Sequence, residues 1–535
     1  MILNNEALKN KKVWEEKGYR LPAYDREAMI AETLKHPTWV HFGGGNIFRG
    51  FLARLQQELL NQGLVKSGII VGESYDYQII EEVFTKQDNL TLGVTLKSDG
   101  SVDKEVIASV AAARPVEPTF PEDWALFKRT FANPSLQMVS FTITEKGYAI
   151  RSNDGSLFES IAKDIEKGAK APKSFLAKLT SLLYHRYQQK GGNLTLVSMD
   201  NCAANGDRIA EAVKTIAKGW AERNHVEKAF LTYLDENVAY PWTMIDKITP
   251  RPDAKIVEIL KKDGFKSGGL IVTDNNTHVS FFVNAEEAEY LVIEDTFKNG
   301  RPPLDKVGVY FTDRSTVNKV ERMKVTTCLN PLHTALAVFG SILGFTLISE
   351  EMRDPQLRAL VEGIGYIEGM PVVVDPGIID PKQFIDEVLN KRFPNPFMPD
   401  TPQRIATDTS QKLAIRFGET IKSYLEHPDL DVNDLKLIPL VHAGWLRYLV
   451  GIDDEGKPFT PSSDPRLEEA QRYVKGIKLG DKGPFDQLDG LLKDKTIWGV
   501  DLIEVGLSAL VLSYFEKLIK GPGAVRQTLI DIVGP

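Results

Sequence analysis

Cysteine is nearly absent from this chain: Cys202 and Cys328 are the only two in 535 residues. One pair cannot build the disulfide framework of a small secreted domain. The eight histidines show no CxxC or HExxH partner, so no structural metal is expected. Positive charge is also in deficit. A net charge of -8 argues against nucleic-acid or anionic-membrane binding, though one local basic pocket remains compatible with it. Long hydrophobic runs are missing; the longest, LSALVLSYF, is about half a membrane span. The N-terminal MILNNEALKNKKVWEEKGY lacks the apolar core of a signal peptide. Repeats and low-complexity tracts are absent. What is present is an ordinary globular composition, 42% hydrophobic and 26% charged, long enough for two or more domains. A reduced, cytoplasmic protein is expected.

The pattern along the chain has two textures. TWVHF (38–42) reads as a short buried strand, and Phe48, Phe51, Leu52, Leu55 and Leu59 recur at helical spacing after it. GIIVG (68–72) is a second strand, followed by a helix through QIIEEVF. Further strand candidates are LTLGVTL, QMVSFTIT (137–144), NLTLVSM (193–199), GLIVTD and EYLVIED, with helices such as IAEAVKTIAKGWAERN between them. Strands alternating with helices predict an α/β, doubly wound, Rossmann-type domain over residues 1–300. After the Pro- and Gly-bearing connection FKNGRPPLD (297–305), strand patterns nearly vanish. A second, mostly α-helical domain is expected over 301–535.

The stretch WVHFGGGNIFRGFL (39–52) looks like a phosphate-binding turn between a strand and a helix. Gly43 and Gly45 fit the first two positions of G-x-G-x-x-G, but Phe48 occupies the third. Phe48 predicts a helix pushed outward or leaning away, with Gly50 supplying the close approach instead. Asn46 and Arg49 stand where they can add donors to phosphate oxygens. Glu73 and Asp76, at the end of the second strand, are the candidates for a ribose contact. A carboxylate there favours NAD over NADP.

Other segments follow in order: TITEKGY (142–148), SMDNCAANG (198–206), YPWTMIDKITP (240–250), KVTTCLNPLH (324–333), RIATDTSQK (404–412) and GWLRYLVGIDDEGKPF (444–459). Together with the glycine turn, this series resembles the polyol-specific long-chain dehydrogenases, the mannitol dehydrogenase family, over about residues 38–465. The resemblance implies a Rossmann-type domain, a helical domain, a substrate cleft between them, and NAD(P)-dependent hydride transfer without metal. It places the family's general acid–base lysine on Lys324, followed by Asn330 and His333, and carries over Asn201 beside them. It assigns substrate contacts to Asp246, Arg404 and Lys412, and further cofactor contacts to Ile47 and Thr144.

The chemistry accounts for these residue types. Hydride reduction of a ketone puts negative charge on oxygen, which needs a proton and pre-placed donors. A half-buried lysine beside other cations suits proton exchange near neutral pH. The amides of Asn201 and Asn330 would hold the oxygen, while His333 and Asp246 would meet neighbouring hydroxyls or orient Lys324. Each residue alone also has a plain reading. Asn330-Pro331 is an ordinary helix start, His333 a surface histidine, Lys324 a solvated lysine, Asp246-Lys247 a surface ion pair, and Lys412 a snorkelling side chain. The joint, ordered occurrence favours the functional one.

One departure from the family pattern bears on geometry. The family spacing is five residues from Lys to Asn and eight from Lys to His; here the intervals are six and nine. On a regular helix nine residues at about 100° each put Lys324 and His333 on opposite faces. A bulge or a helix start between Lys324 and Asn330 is therefore expected. A second departure, Ile245-Asp246-Lys247 for Val-Asp-Arg, keeps both charges.

The expected substrate is a small sugar, sugar acid or polyol. Reduction of D-fructuronate to D-mannonate with NADH is the first choice, because a basic pocket suits a carboxylate. Tagaturonate, mannitol and mannitol 1-phosphate chemistry remain as alternatives, and a non-catalytic dinucleotide-binding sensor is the rival from another class. Nothing in the sequence fixes the oligomeric state.

Overall fold

The computed structural model describes residues 1–143, 145–152, 154–265 and 269–534. Two compact units divide it. The first is Met1–Lys97 with Ser101–Val317, and the second is Ser98–Gly100 with Asn318–Pro535.

Six parallel strands form the central sheet of the first unit: β1 (Trp39–Phe42), β2 (Ile69–Glu73), β3 (Val110–Pro115), β4 (Met138–Phe141), β5 (Leu194–Ser198) and β6 (Val238–Ala239). Their order is β3-β2-β1-β4-β5-β6, that of a Rossmann dinucleotide-binding domain. In register, Trp39 lies between Ile69 and Met138, and Phe42 between Gly72 and Phe141.

The strands are apolar on both faces, as a sheet covered twice requires. Val40, Phe42, Ile70, Val139, Phe141, Leu194 and Leu196 point into one core with helices Pro121–Ala132, Phe175–Gln188 and Asn205–Glu222. Trp39, Ile69, Val71, Met138 and Val197 point into the other, with Phe48, Phe51, Leu55 and Leu59 of the first crossover. Because all six strands run the same way, the ends of β1, β2, β4 and β5 open onto one edge. Chain reversal at β1 and β4 makes that edge the natural ligand crevice.

Several expected strands belong elsewhere. Thr91–Leu96, from LTLGVTL, joins Val102–Ile107, Tyr19–Arg20 and Phe282–Glu286 in a separate four-stranded sheet. Tyr290–Glu294, from EYLVIED, pairs with Thr243–Asp246 and Tyr310–Thr312. GLIVTD contributes only Ile271–Val272, paired with His278–Val279. The pairing of Tyr310–Thr312 with Tyr290–Glu294 also places the end of the first unit at Val317, beyond the 297–305 connection. That connection is a loop spanned by a sheet, not a break.

The second unit is helical. Its centre is Asn330–Ile342, against which Leu437–Leu449 and Pro355–Glu362 pack. At Gly444 an added Cβ would lie 2.6 Å from the Phe339 ring, so glycine permits the close helix crossing. The helical run Arg314–Ile342 matches a membrane span in length and composition, but 83% of its most apolar window is buried in the protein, as in a core helix.

Candidate functional site

In the first unit the glycine turn follows β1 directly. Gly43 adopts φ 110°, a region that side chains disfavour. At Gly44 an added Cβ would meet the Phe84 ring at 2.8 Å, whereas at Gly45 it would meet nothing within 4 Å. The turn is therefore packed on one side and open on the other. The amides of Gly45, Asn46 and half-buried Ile47 make no hydrogen bond to the described protein. Free amides at the start of a long helix are a ready anion cradle. The turn thus fits a pyrophosphate.

Two expectations about this turn are corrected. Arg49 is not presented to a phosphate. It is 0% exposed, donating to the Ser280 carbonyl at 2.9 Å and to Asn46 Oδ1 at 2.9 Å. Burial pushes its guanidinium down to about 9. It is a strut between the turn and the neighbouring sheet. Gly50 does supply a close approach, but to Val283, 3.2 Å from its added Cβ, not to the strand before it. Phe48 is accommodated by a π turn over Phe48–Leu52 and stacks on His41 with ring centroids 4.3 Å apart.

Glu73, the last residue of β2, is buried and fully engaged. One carboxylate oxygen accepts from Gly44 N–H at 2.9 Å; the other accepts from the amides of Ser74, Tyr75 and Asp76. Asp76 is also buried and accepts from the Thr273 hydroxyl at 2.5 Å. Glu73 thus ties the glycine turn to the end of β2. Thr144 lies outside the described residues.

After β5, Asp200 accepts from Cys202 N–H at 2.9 Å and from the Tyr148 hydroxyl. Burial holds its carboxyl above the usual range, against the pull of the Tyr148 bond. With Asp200 anchored, Asn201 is exposed at the bend. Asn205, which the sequence reading passed over, clamps this loop to Thr243 through bonds of 2.9 and 3.0 Å. Asp246, buried, ends the strand that begins at Thr243. Lys247 pairs with Glu289 at 2.6 Å, and both Asp246 and Lys247 are buried, not surface charges.

In the second unit Lys324 opens a π turn, Lys324–Cys328, between helices Arg314–Met323 and Asn330–Ile342. The Leu329 amide reaches back five residues to the Lys324 carbonyl at 3.1 Å. This is the bulge that the spacing requires. Absorbing one residue removes about 100° of rotation and leaves Lys324 and His333 about 80° apart instead of opposed. Lys324 is 7% exposed, which is not the state of a solvated lysine. Nearby Glu321 is held above the usual carboxyl range by burial, with Lys324 pulling it down.

Asn330 is the first residue of its helix, with Leu329 rather than Asn330 at the cap position. His333 is not a surface residue: its side chain is 16% exposed. Its Nε2 has no hydrogen-bond partner and stands 3.8 Å from the Asp400 carboxylate. Burial, then Arg416, Arg404, Arg392 and Lys412, push the ring down to about 3. The imidazole is therefore neutral and surrounded by cations. Arg404 bonds Asp400, and its side chain is 62% exposed. Lys412 turns its ammonium back onto the carbonyls of Ile405 and Thr407, which is not snorkelling. Burial lowers its pKa, and Arg416 and Arg404 lower it further. Lys324, Asn330, His333, Arg404 and Lys412 are thus gathered in one unit, and Asn201, Asp246 and the turn residues in the other. Arg392, Asp400 and Arg416 were missed. The only signal for them was the clustering of Arg and Lys from 391 to 416.

Among the described residues no group of three or more His, Cys, Asp or Glu is placed to hold a metal.

The mannitol dehydrogenase Rossmann-domain family model matches residues 37–306, and the mannitol dehydrogenase C-terminal-domain model matches 316–517. A D-mannonate oxidoreductase of Thermotoga maritima is 51% identical over 100% of this chain and 99% of its own. A mannitol 2-dehydrogenase of Aspergillus fumigatus is 28% identical over 90% of this chain and 89% of its own. Among solved structures, a substrate-free D-sorbitol dehydrogenase superposes with a TM-score of 0.79 at 24% identity, covering 99% of this chain and 100% of its own. The Pseudomonas fluorescens mannitol 2-dehydrogenase in complex with NAD and D-mannitol gives a TM-score of 0.68 at 23% identity, covering 100% and 99%. Both likenesses concern the fold.

Proposed function

Since the chain belongs to the mannitol dehydrogenase family, we propose that it interconverts D-fructuronate and D-mannonate with NAD as coenzyme. The observation that carries this reading is the neutral, cation-ringed His333 in a chain whose full length matches a D-mannonate oxidoreductase. A polyol offers no charge to balance Arg416, whose described partners are a carbonyl and a hydroxyl; a sugar acid does.

NAD would rest on the free amides of Gly45, Asn46 and Ile47, with Glu73 and Asp76 at the ribose end. Carboxylates there repel the 2′-phosphate of NADP. When bound, the reduced nicotinamide supplies the hydride. Lys324 gives its proton to the substrate oxygen and takes one back in the oxidative direction. The amides of Asn330 and Asn201 donate to that oxygen as it gains charge. His333, neutral and with Nε2 unpartnered, bonds a neighbouring hydroxyl. Asp246 orients a hydroxyl, and Arg404 and Lys412 hold the chain of the sugar. With only two cysteines in 535 residues, we place the protein in the reducing cytoplasm.

The test is NADH absorbance with D-mannonate and NAD, beside D-altronate, D-mannitol and mannitol 1-phosphate. Preferred turnover of mannonate is expected. Preference for mannitol or its phosphate would replace the sugar-acid reading. NADH binding without turnover of any of the four would leave the dinucleotide sensor.

A further inference from the structure

Arg416 sits in a π turn, Ala414–Gly418, one turn after Lys412, whose carbonyl accepts its amide at 2.9 Å. Its Nη1 donates to the Thr334 hydroxyl and to the Asn330 carbonyl. The guanidinium is thereby strapped to the turn that carries Asn330 and His333. Its other two donor positions are different. Neither Nε nor Nη2 meets an acceptor among the described residues, and neither is sealed from solvent.

Those two positions share one edge of the planar group. Their N–H bonds run parallel and match the two oxygens of a carboxylate. Arg404 and Lys412 offer less. Arg404 already has the Asp400 carboxylate, and Lys412 is spent on two carbonyls. Arg416 has no carboxylate partner among the described residues, although it is half-buried and burial pushes it down to about 10. A poorly solvated cation without a counter-ion is costly unless a ligand supplies one.

We propose that Arg416 is the residue that recognises the acid group of the substrate, taking a six-carbon sugar acid by its carboxylate on the Nε–Nη2 edge. This deepens the sugar-acid reading and rests on it. Placement in a π turn parallels Lys324. Arg392 also closes such a turn, Val388–Arg392, so three cations of the second unit are presented by widened helical turns, which recur at functional sites.

The test uses the full chain with NADH bound, so that aldonates bind without turnover. D-mannonate, D-altronate, D-gluconate and the neutral D-mannitol are titrated against wild type, Arg416→Met and Arg416→Lys. Arg416→Met should weaken mannonate binding by about a hundredfold or more, the effect of removing one partner of a buried charge pair. Mannitol binding should change by less than about threefold. Arg416→Lys, which keeps a charge but loses the fork, should fall between. Equal losses for acid and polyol would make Arg416 a positioning residue and overturn the proposal, as would unchanged acid binding in Arg416→Met. If wild type binds gluconate through Arg416 but does not turn over mannonate, the substrate reading fails and this proposal stands. If no acid binds wild type, both fail.

Discussion

Among the widened helical turns of this protein, the one after the first strand and the one at Lys324 are used differently. In Phe48–Leu52 the π turn serves packing: Phe48 is sealed against His41 and Arg49 becomes an internal strut. In Lys324–Cys328 the π turn serves presentation. It brings Lys324 toward the face of His333 without exposing either residue. A departure from a motif is thus not one kind of event. What surrounds the extra residue decides whether it is absorbed or used.

The largest test of this contrast is at Lys324. Lys324→Ala should lower kcat by about 10²- to 10⁴-fold while NADH still binds, as read by fluorescence. Turnover near wild type would remove the lysine from the chemistry. Changing the turn itself is nearly as severe. An alanine inserted after Val325 rotates Lys324 a further ~100° from His333 and should cost a comparable factor. Deleting Val325 leaves eight residues, which on a regular helix give the same ~80°. Activity should then survive far better than after the insertion, and the reverse order would show that the π turn does not set the geometry.

The packing side breaks by a different measurement. Phe48→Gly completes the glycine fingerprint, yet it should destabilise the fold by about 3–5 kcal/mol, because an aromatic core side chain is lost. A thermal melt showing no loss, with tighter NAD binding, would mean that the fingerprint matters more than the packing. Glu73→Ala leaves the Gly44, Ser74, Tyr75 and Asp76 amides without their acceptor. About 1–3 kcal/mol of stability and part of the preference for NAD over NADP should go together. Loss of neither would show that the staple is dispensable.

The smallest effect is expected at Glu351, which belongs to neither turn. Its carboxylate oxygens have no partner and lie where a Cβ on Gly340 would fall, 1.9 Å away. Burial, then Asp354, raises its pKa well above 4.5. A raised folded-state value means that its contribution is complete below about pH 4.5 and is lost as pH rises toward the folded value. Glu351→Gln should therefore flatten the fall in melting temperature between pH 5 and 8, and an unchanged slope would deny that Glu351 is protonated in the core.

The comparison also shows what was legible from the residues. β1, β2, β4 and β5 announced themselves because strands buried on both faces must be continuously apolar. β3 did not: VAAARP has one branched side chain, Val110, followed by three alanines, and no aromatic to mark a strand. β6 is only two residues long. Thr91–Leu96 and Tyr290–Glu294 read as strands correctly, but period and propensity carry no information about which sheet a strand joins. At the site, Lys324, Asn330 and His333 could be named from their order in the chain. The roles of Arg49 and Arg416 could not, since both are arginines near a motif. One is fully buried with a carbonyl and an amide for partners, and the other keeps a donor edge open.

The sequence by itself determined the family, the two textures of fold and the need for a bulge between Lys324 and Asn330. Those follow from local spacing and from a rotation of about 100° per residue. Tertiary structure alone decided which cations keep a free edge, that His333 is neutral with an unpartnered nitrogen, and that Glu73, named only as a candidate ribose contact, is bound to the glycine turn. Such properties depend on burial and on partners brought together from distant positions, and no stretch of the chain carries either.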